Sequence, residues 1–318
     1  MPPVAAGART ALTLIVLALG FLLLSAAGAR AQVCSTTITN TNFGTANLAP
    51  GTAVDTTATL SVSCTGMTNG MAIKACPSFN AGTGGVSGTS RTMTNGANTL
   101  LYNLYSDAAR SVRWGSATDA SLGSVPVVTV TRSGSTGTGA ATVYGRIAAN
   151  QRSTQPGSYS SSFAGHVSVK YVNGTTCTAT TTGTTTPSFS VLATVPASCT
   201  LTAAALSFGT RGVVDALVDA ASSLSVTCAN TLAYSVQLDN GQTGTAPTAR
   251  KMTQLTESLL YGLYRDAART LAWGGSGSSA SGTGTGLAQA LTVYGRVPAQ
   301  STPSPGLYSD IVVATVVY

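Results

Sequence analysis

Charge is what this sequence has least of: 16 Lys plus Arg and 9 Asp plus Glu in 318 residues, or 8%, with a formal net charge of +7. The basic residues form no run, which argues against a nucleic-acid surface and leaves only a general affinity for acidic surfaces. Histidine is nearly missing. The single one is His166, and no C-x-x-C pair occurs, so the residues for a zinc site are not there. There is no G-x-S-x-G, and no repeated carboxylate pair suited to glycoside hydrolysis. His166 lies in the alternating stretch "AGHVSVKY" and reads as a strand residue rather than a general base. A secreted hydrolase is the competing class, and nothing in the sequence supports it. We expect no enzyme, no metal and no cofactor.

Long apolar runs are also lacking, with one exception. Residues 1–31 read as an export signal, in which Arg9 is followed by "ALTLIVLALGFLLLSA" and then by the Ala29-Arg30-Ala31 cleavage pattern. The apolar run of about sixteen residues is short for a membrane span of roughly 20. Cleavage would place Gln32 first.

Helical periodicity is nearly absent from the remainder, and Gly, Ser, Thr, Ala and Val dominate it. Segments such as "ATLSVSC", "SLSVTC", "HVSVKY" and "IVVATVVY" alternate in polarity between clusters of turn formers. Short strands at this spacing predict an all-β protein, a β-sandwich with Greek-key connections.

The chain then repeats itself. "LYNLYSDAARSVRWG" (101–115) returns as "LYGLYRDAARTLAWG" (260–274), offset by 159 residues with ten of fifteen positions identical. Phe-Gly-Thr follows nine residues after both Cys34 and Cys199, "LSVSC" at Cys64 matches "LSVTC" at Cys228, and "TVYGRI" (142–147) matches "TVYGRV" (292–297). "PGSY" (156–159) matches "PGLY" (305–308), and each half closes on a strand ending in Tyr171 or Tyr318. This is a tandem duplication. Its expected parts are a first domain over 32–177, a Thr-rich linker over 178–188 and a second domain over 189–318.

Six cysteines in an exported chain predict disulfides, and the repeat narrows fifteen pairings. Cys34–Cys64 and Cys199–Cys228 are equivalent pairs, each closing about 30 residues for a stabilisation on the order of 3 kcal/mol. Cys76 and Cys177 have no counterparts in the second copy and pair with each other. Tyr102, Leu104 and Trp114, like Tyr261, Leu263 and Trp273, read as packing residues. Asp107 and Arg110, like Asp266 and Arg269, sit three apart and read as a clasp across a tight turn, because both copies keep them.

As a set these segments resemble the spore coat U domain family, whose members include subunits of archaic, Csu-type chaperone–usher pili. The matching residues are Cys34/Cys199, Phe43-Gly44/Phe208-Gly209, the Y-x-L-Y-x-D-A-A-R…W-G segments, the two Val-Tyr-Gly-Arg runs ending at Arg146 and Arg296, Pro-Gly-x-Tyr and the final tyrosines. The resemblance implies two tandem immunoglobulin-like sandwiches that each lack a strand. It also implies a periplasmic chaperone that fills the gap first, an outer-membrane usher, and a following subunit whose extended N-terminal segment fills the gap afterwards. Export through the periplasm to the surface of a Gram-negative bacterium is implied as well.

An ordinary pilus subunit carries a donor strand before its first cysteine, whereas only Gln32 and Val33 precede Cys34 after the expected cleavage. We therefore expect a tip subunit, an adhesive domain followed by a pilin domain, that attaches the fibre to an abiotic or host surface and supports biofilm formation. A non-adhesive minor pilus or coat protein of the same fold and a soluble secreted carbohydrate-binding protein are the alternatives. Phe189, Val191, Ala193 and Val195 alternate as a donor strand does. They either complete the first domain in cis or begin the second. For an adhesive loop the candidates are Val125, Pro126, Val127 and Val128, in an insertion that lengthens the Trp114–Tyr144 interval to 30 positions against 21 for Trp273–Tyr294. The same residues also read as one more buried strand. Met67 and Met71, around an Asn-Gly turn, are a second candidate, with a core hairpin as the plainer reading.

Overall fold

The computed structural model describes residues 32–318, so the expected export signal lies outside the described residues. Strand Val54–Thr65 shows how the sequence builds the sheets. Ala58, Leu60, Val62 and Cys64 face inward, while Asp55, Thr57, Thr59, Ser61 and Ser63 face solvent. That period of two is the pleat of a sheet with one wet face. Its neighbours are Val33–Ile38 and Thr136–Ile147, both antiparallel.

The first domain sets a long, curled sheet against a short one. The long sheet runs Val33–Ile38, Val54–Thr65, Thr136–Ile147, Asn98–Tyr105, Ser90–Asn95, Gly157–Ser162, Ser190–Val195 and Thr41–Thr45. The short one runs Thr181–Thr185, Val167–Asn173, Ile73–Phe79 and Val128–Thr129. In the second domain the order Cys199–Ala203, Val218–Cys228, Ala288–Val297, Glu257–Tyr264, Arg250–Gln254 repeats the first half of the long sheet, and Ala280–Thr283, Ala233–Leu238, Ala314–Val317 form the facing one. Three disulfides close the loops predicted from the repeat: Cys34–Cys64, Cys76–Cys177 and Cys199–Cys228.

Two expected boundaries move. Residues 178–188 are not a free linker, because Thr181–Thr185 pairs with Val169–Val172 as an edge strand of the short sheet. Threonine has a strong strand preference, and at an edge its hydroxyls stay in water. Nor do residues 189–195 open the second domain. Phe189, Val191, Ala193 and Val195 are all buried in the first core. The first domain therefore continues to Val195, and only Pro196, Ala197 and Ser198 separate it from strand Cys199–Ala203.

The two tryptophans occupy matched positions at the centre of each core. Trp114 donates its indole N–H to the Pro77 carbonyl at 2.9 Å, and Trp273 donates to the Val236 carbonyl at 2.9 Å. Under each lies a buried arginine that the sequence reading passed over. Arg91 donates from Nε to Asn80 O at 2.9 Å and from Nη2 to Phe79 O at 2.6 Å and Trp114 O at 2.9 Å. Arg250 does the same with Asp239 O at 2.8 Å from Nε and Trp273 O at 2.8 Å from Nη2. Each guanidinium joins carbonyls from two segments far apart in sequence, 79–80 and 114 in the first domain and 239 and 273 in the second, and supplies donors to them in the interior. Burial pushes the Arg91 pKa down to about 10, so it stays charged at neutral pH.

Only a planar fork fits these acceptors. Arg91→Leu should therefore cost about 2–4 kcal/mol in urea unfolding, and Arg91→Lys should recover less than half of it. Full recovery by lysine would show that charge, rather than the fork, is what the core needs.

Candidate functional site

The segment 189–195 lies in a groove of the first domain. Ser190–Val195 pairs antiparallel with Gly157–Ser162 over six residues and parallel with Thr41–Thr45 on its other side. Its alternate side chains fill the interior. Phe189 stacks on Phe163 at 4.4 Å between centroids and meets Phe79 at 5.2 Å, and Phe79 stacks on Trp114 at 4.8 Å. The backbone completes the sheet while Val191, Ala193 and Val195 complete the core, which is the arrangement of β-strand addition.

The second domain has the same groove without an occupant among the described residues. Residues 306–311 match Gly157–Ser162 but contain no strand, only the isolated bridge Ser309–Thr253 that repeats Ser160–Thr94. Leu206 to Thr210, which match Thr41–Thr45, contain none either. Inward positions lose their cover. Phe163, which stacks on Phe189, is buried, and its counterpart Val312 is half-buried. Phe43 and Val169 are buried, whereas Phe208 and Val316 are half-buried. Where Phe79 and Phe163 frame the pocket for Phe189, the second domain has Leu238 and Val312.

The repeated segments that suggested a clasp are arranged differently from the expectation. Asp107 and Arg110 do not pair through their side chains. Asp107 accepts from the Val112 N–H at 2.7 Å and the Ser111 N–H at 3.0 Å, and Asp266 accepts from the Leu271 N–H at 2.7 Å and the Thr270 N–H at 3.0 Å. The carboxylate caps the turn in place of a backbone carbonyl. Arg110 (φ 57°) and Arg269 (φ 59°) turn the chain in the left-handed region. Their guanidiniums reach back to Asp55 and Asp219, each at 3.2 Å, and lie 5.6 Å above the rings of Tyr144 and Tyr294. Arg146 and Arg296 bind the same two aspartates in a two-pronged geometry at 2.7–2.9 Å. The Arg146 hydrogen bond, then the Arg110 charge, holds the Asp55 carboxyl below the ordinary value of 3.8, and Asp219 is held down likewise. The missing partner is far away in sequence, so local spacing could not reveal it. Tyr102, Leu104 and Trp114 are buried as packing residues, with Tyr261, Leu263 and Trp273.

The candidate adhesive stretch divides. Val128 is buried and pairs through strand Val128–Thr129 with Lys74–Ala75, while Val127 is 47% exposed and Val125 and Pro126 are half-buried. Alternation explains it: Val128 and Val130 point into the core and Val127 points out. Met67 is core as well. His166 sits in the turn before Val167–Asn173, its N–H bonded to Phe163 O and its carbonyl accepting from Asn80. Among the described residues no group of three or more His, Cys, Asp or Glu is placed to hold a metal ion.

Two β-sandwiches follow one another in the chain, the first closed by residues 189–195 and the second with half-buried apolar residues at the matching positions. A model described as the Spore Coat Protein U domain matches residues 21–166 and again 185–315, and the chain belongs to that family. Protein U of Myxococcus xanthus is 40% identical over 81 residues, which are 24% of this chain and 45% of that protein, so the match spans about half of that relative. Among solved structures, the chain is similar to one from the CsuC–CsuE chaperone–tip adhesion subunit pre-assembly complex of archaic chaperone-usher Csu pili of Acinetobacter baumannii. The TM-score is 0.53 at 17% identity, over 90% of this chain and 100% of that one. The CupB6 tip adhesin from Pseudomonas aeruginosa matches with a TM-score of 0.39 at 12% identity, over 89% of this chain and 93% of that one.

Two outcomes follow from these arrangements. Val128→Asp should unfold or severely destabilise the first domain, by several kcal/mol, whereas Val127→Asp should stay within about 0.5 kcal/mol in thermal melting. Asp55, Asp107, Asp219 and Asp266 all have carboxyls held below 3.8, so their stabilisation is complete above that value and is lost as pH falls through the lowered ones. A melting series should be flat from pH 7 to about 4.5 and fall below about 3.5, and Asp55→Asn should flatten that fall. An unchanged slope in the variant would remove Asp55 from the account.

Proposed function

We propose that this protein is the tip subunit of a chaperone–usher fibre, with the first domain facing outward as the adhesive part and the second domain accepting a strand from the next subunit. The observation that carries this reading is the contrast between matched positions in the two grooves: Phe43 and Phe163 are buried in the first domain, whereas Phe208 and Val312 are half-buried in the second. The first domain is closed by 189–195 of its own chain and has no room for a second donor. The second has the apolar positions a donor covers. A subunit with one acceptor groove and a first domain sealed in cis fits the end of a fibre, where it is followed by a partner and preceded by none. An open apolar edge is an aggregation hazard, so a periplasmic chaperone shields it until an outer-membrane usher delivers the next subunit. Attachment of the first domain to an abiotic or host surface, and with it biofilm formation, is the activity such a position supports.

The fold supplies its own test. In the first domain the groove is filled by a segment that begins shortly after Tyr171, so the same segment can be supplied after Tyr318. A full mature chain extended by six Gly/Ser residues and a second copy of 178–197 gives the second domain a strand in cis. Burying Phe, Val and Val side chains, less the cost of ordering the segment, should contribute about 3 kcal/mol and raise the second-domain melting transition by roughly 10 °C. A chain that is soluble, monomeric and equally stable without the extension would mean that the second sandwich is already complete, and the tip reading would fall in favour of a secreted binding protein.

A further inference from the structure

The edge 304–313 of the second domain lacks the ladder that holds its counterpart, yet it is anchored by side chains. In the first domain Gly157–Ser162 is held by its six-residue ladder with Ser190–Val195, and only Ser160–Thr94 joins it to the strand on the other side. Residues 306–311 lack that ladder and keep only the single bridge from Ser309 to Thr253. They nonetheless take up the matching position. The Tyr308 hydroxyl lies 2.9 Å from Ser304 O, the place taken in the first domain by the Tyr159 hydroxyl, which donates to Gln155 O at 2.8 Å.

Three carboxylates do the holding. Glu257, the only glutamate in the chain, accepts from the Ser304 N–H at 2.6 Å, the Ser304 hydroxyl at 2.9 Å and the Tyr308 hydroxyl at 2.9 Å. Asp310, inside the segment, accepts from the Gln242 N–H at 2.9 Å and the Tyr261 hydroxyl at 2.7 Å. Asp239 accepts from the Val313 N–H at 3.0 Å. The matched residues of the first domain are Asn98, Ser161 and Asn80, none of them charged. One copy fixes this edge with a strand, the other with charge-assisted hydrogen bonds. None of these bonds uses the backbone of Tyr308 or Asp310. Their counterparts Tyr159 and Ser161 face Ala193 and Val191 across the first-domain ladder.

We infer that Glu257, Asp239 and Asp310 are positioning residues that hold the edge 304–313 in the strand-accepting arrangement before a donor arrives, so that capture does not wait on ordering the edge. This rests on the acceptor reading of the second domain. Anchoring from the sides leaves the inner rim of the groove for the incoming backbone, and it lowers the ordering cost that binding would otherwise meet.

Hydrogen exchange on the full mature chain tests it. The variant Glu257→Asn/Asp239→Asn/Asp310→Ser carries the first-domain residues, and Glu257→Gln alone is the milder change should the triple variant fail to fold. Each is compared with the wild type, with and without the strand-bearing extension described above. Amides of 304–313 should exchange about tenfold faster in the variants than in the wild type without the extension, while Val218–Cys228 is unchanged. With the extension, all forms should be equally protected there. Equal exchange without the extension would overturn the inference, as would a difference that persists once the strand is in place, which marks a general structural role. An extended wild type with no added protection at 304–313 would instead remove the acceptor reading itself, and the inference with it.

Discussion

An apolar sheet edge cannot be left to water, and the structure of this chain depends on how that edge is covered. In the first domain seven residues, Phe189 to Val195, cover it. They supply a backbone to Gly157–Ser162 on one side and to Thr41–Thr45 on the other, and they bury four side chains. Remove them and Phe163, Phe79 and Tyr159 lose their neighbours together. The second domain has the same strands up to that point and half-buried residues where the first has buried ones. The difference between the two halves therefore centres on this strand: without it the segments matching Gly157–Ser162 and Thr41–Thr45 form no ladders, while the central strands and the Cys34–Cys64 and Cys199–Cys228 disulfides are shared.

The duplication made much of this legible. Because Trp114 and Trp273, Cys64 and Cys228, and Val143 and Val293 recur in order, the number of domains, their all-β class and the disulfide pairing could be read without a structure. The alternation of 189–195 marked a strand, yet alternation cannot say which sheet a strand joins, and both readings of it were open. Composition misled at 178–188, where a Thr-rich run resembles a linker but has the β-branched side chains of an edge strand. The stretch 125–128 read both as an exposed loop and as a buried strand, and period-two geometry divides it, sending Val128 inward and Val127 out.

The polar interior was the least legible part. Arg91 and Arg250 recur at the same 159-residue offset as the segments that drew attention, within "RTMT" and "RKMT". That recurrence was a usable signal. Their roles, however, depend on carbonyls at Phe79, Asn80 and Trp114 that only the fold brings together. The pairing of Arg110 and Arg146 with Asp55 has the same character. A charge three residues away invited a local clasp, and the partner came from a strand more than fifty positions upstream. In a chain with so few charges, nearly every carboxylate described here holds backbone or arginine in place.

The joint of only three residues, Pro196 to Ser198, has a mechanical meaning. Strand Ser190–Val195 runs almost directly into Cys199–Ala203, and Cys199 is bonded to Cys228 in the neighbouring strand. A pull on the second domain is thus delivered along the axis of the strand that seals the first. When that pull runs along the strand, its ladder hydrogen bonds, which lie across the strand axis, are loaded together instead of being peeled one by one. The segment that closes the first core is also its tow-line, so the tension that two domains can carry between them is set by the shear strength of six paired residues and the seating of Phe189.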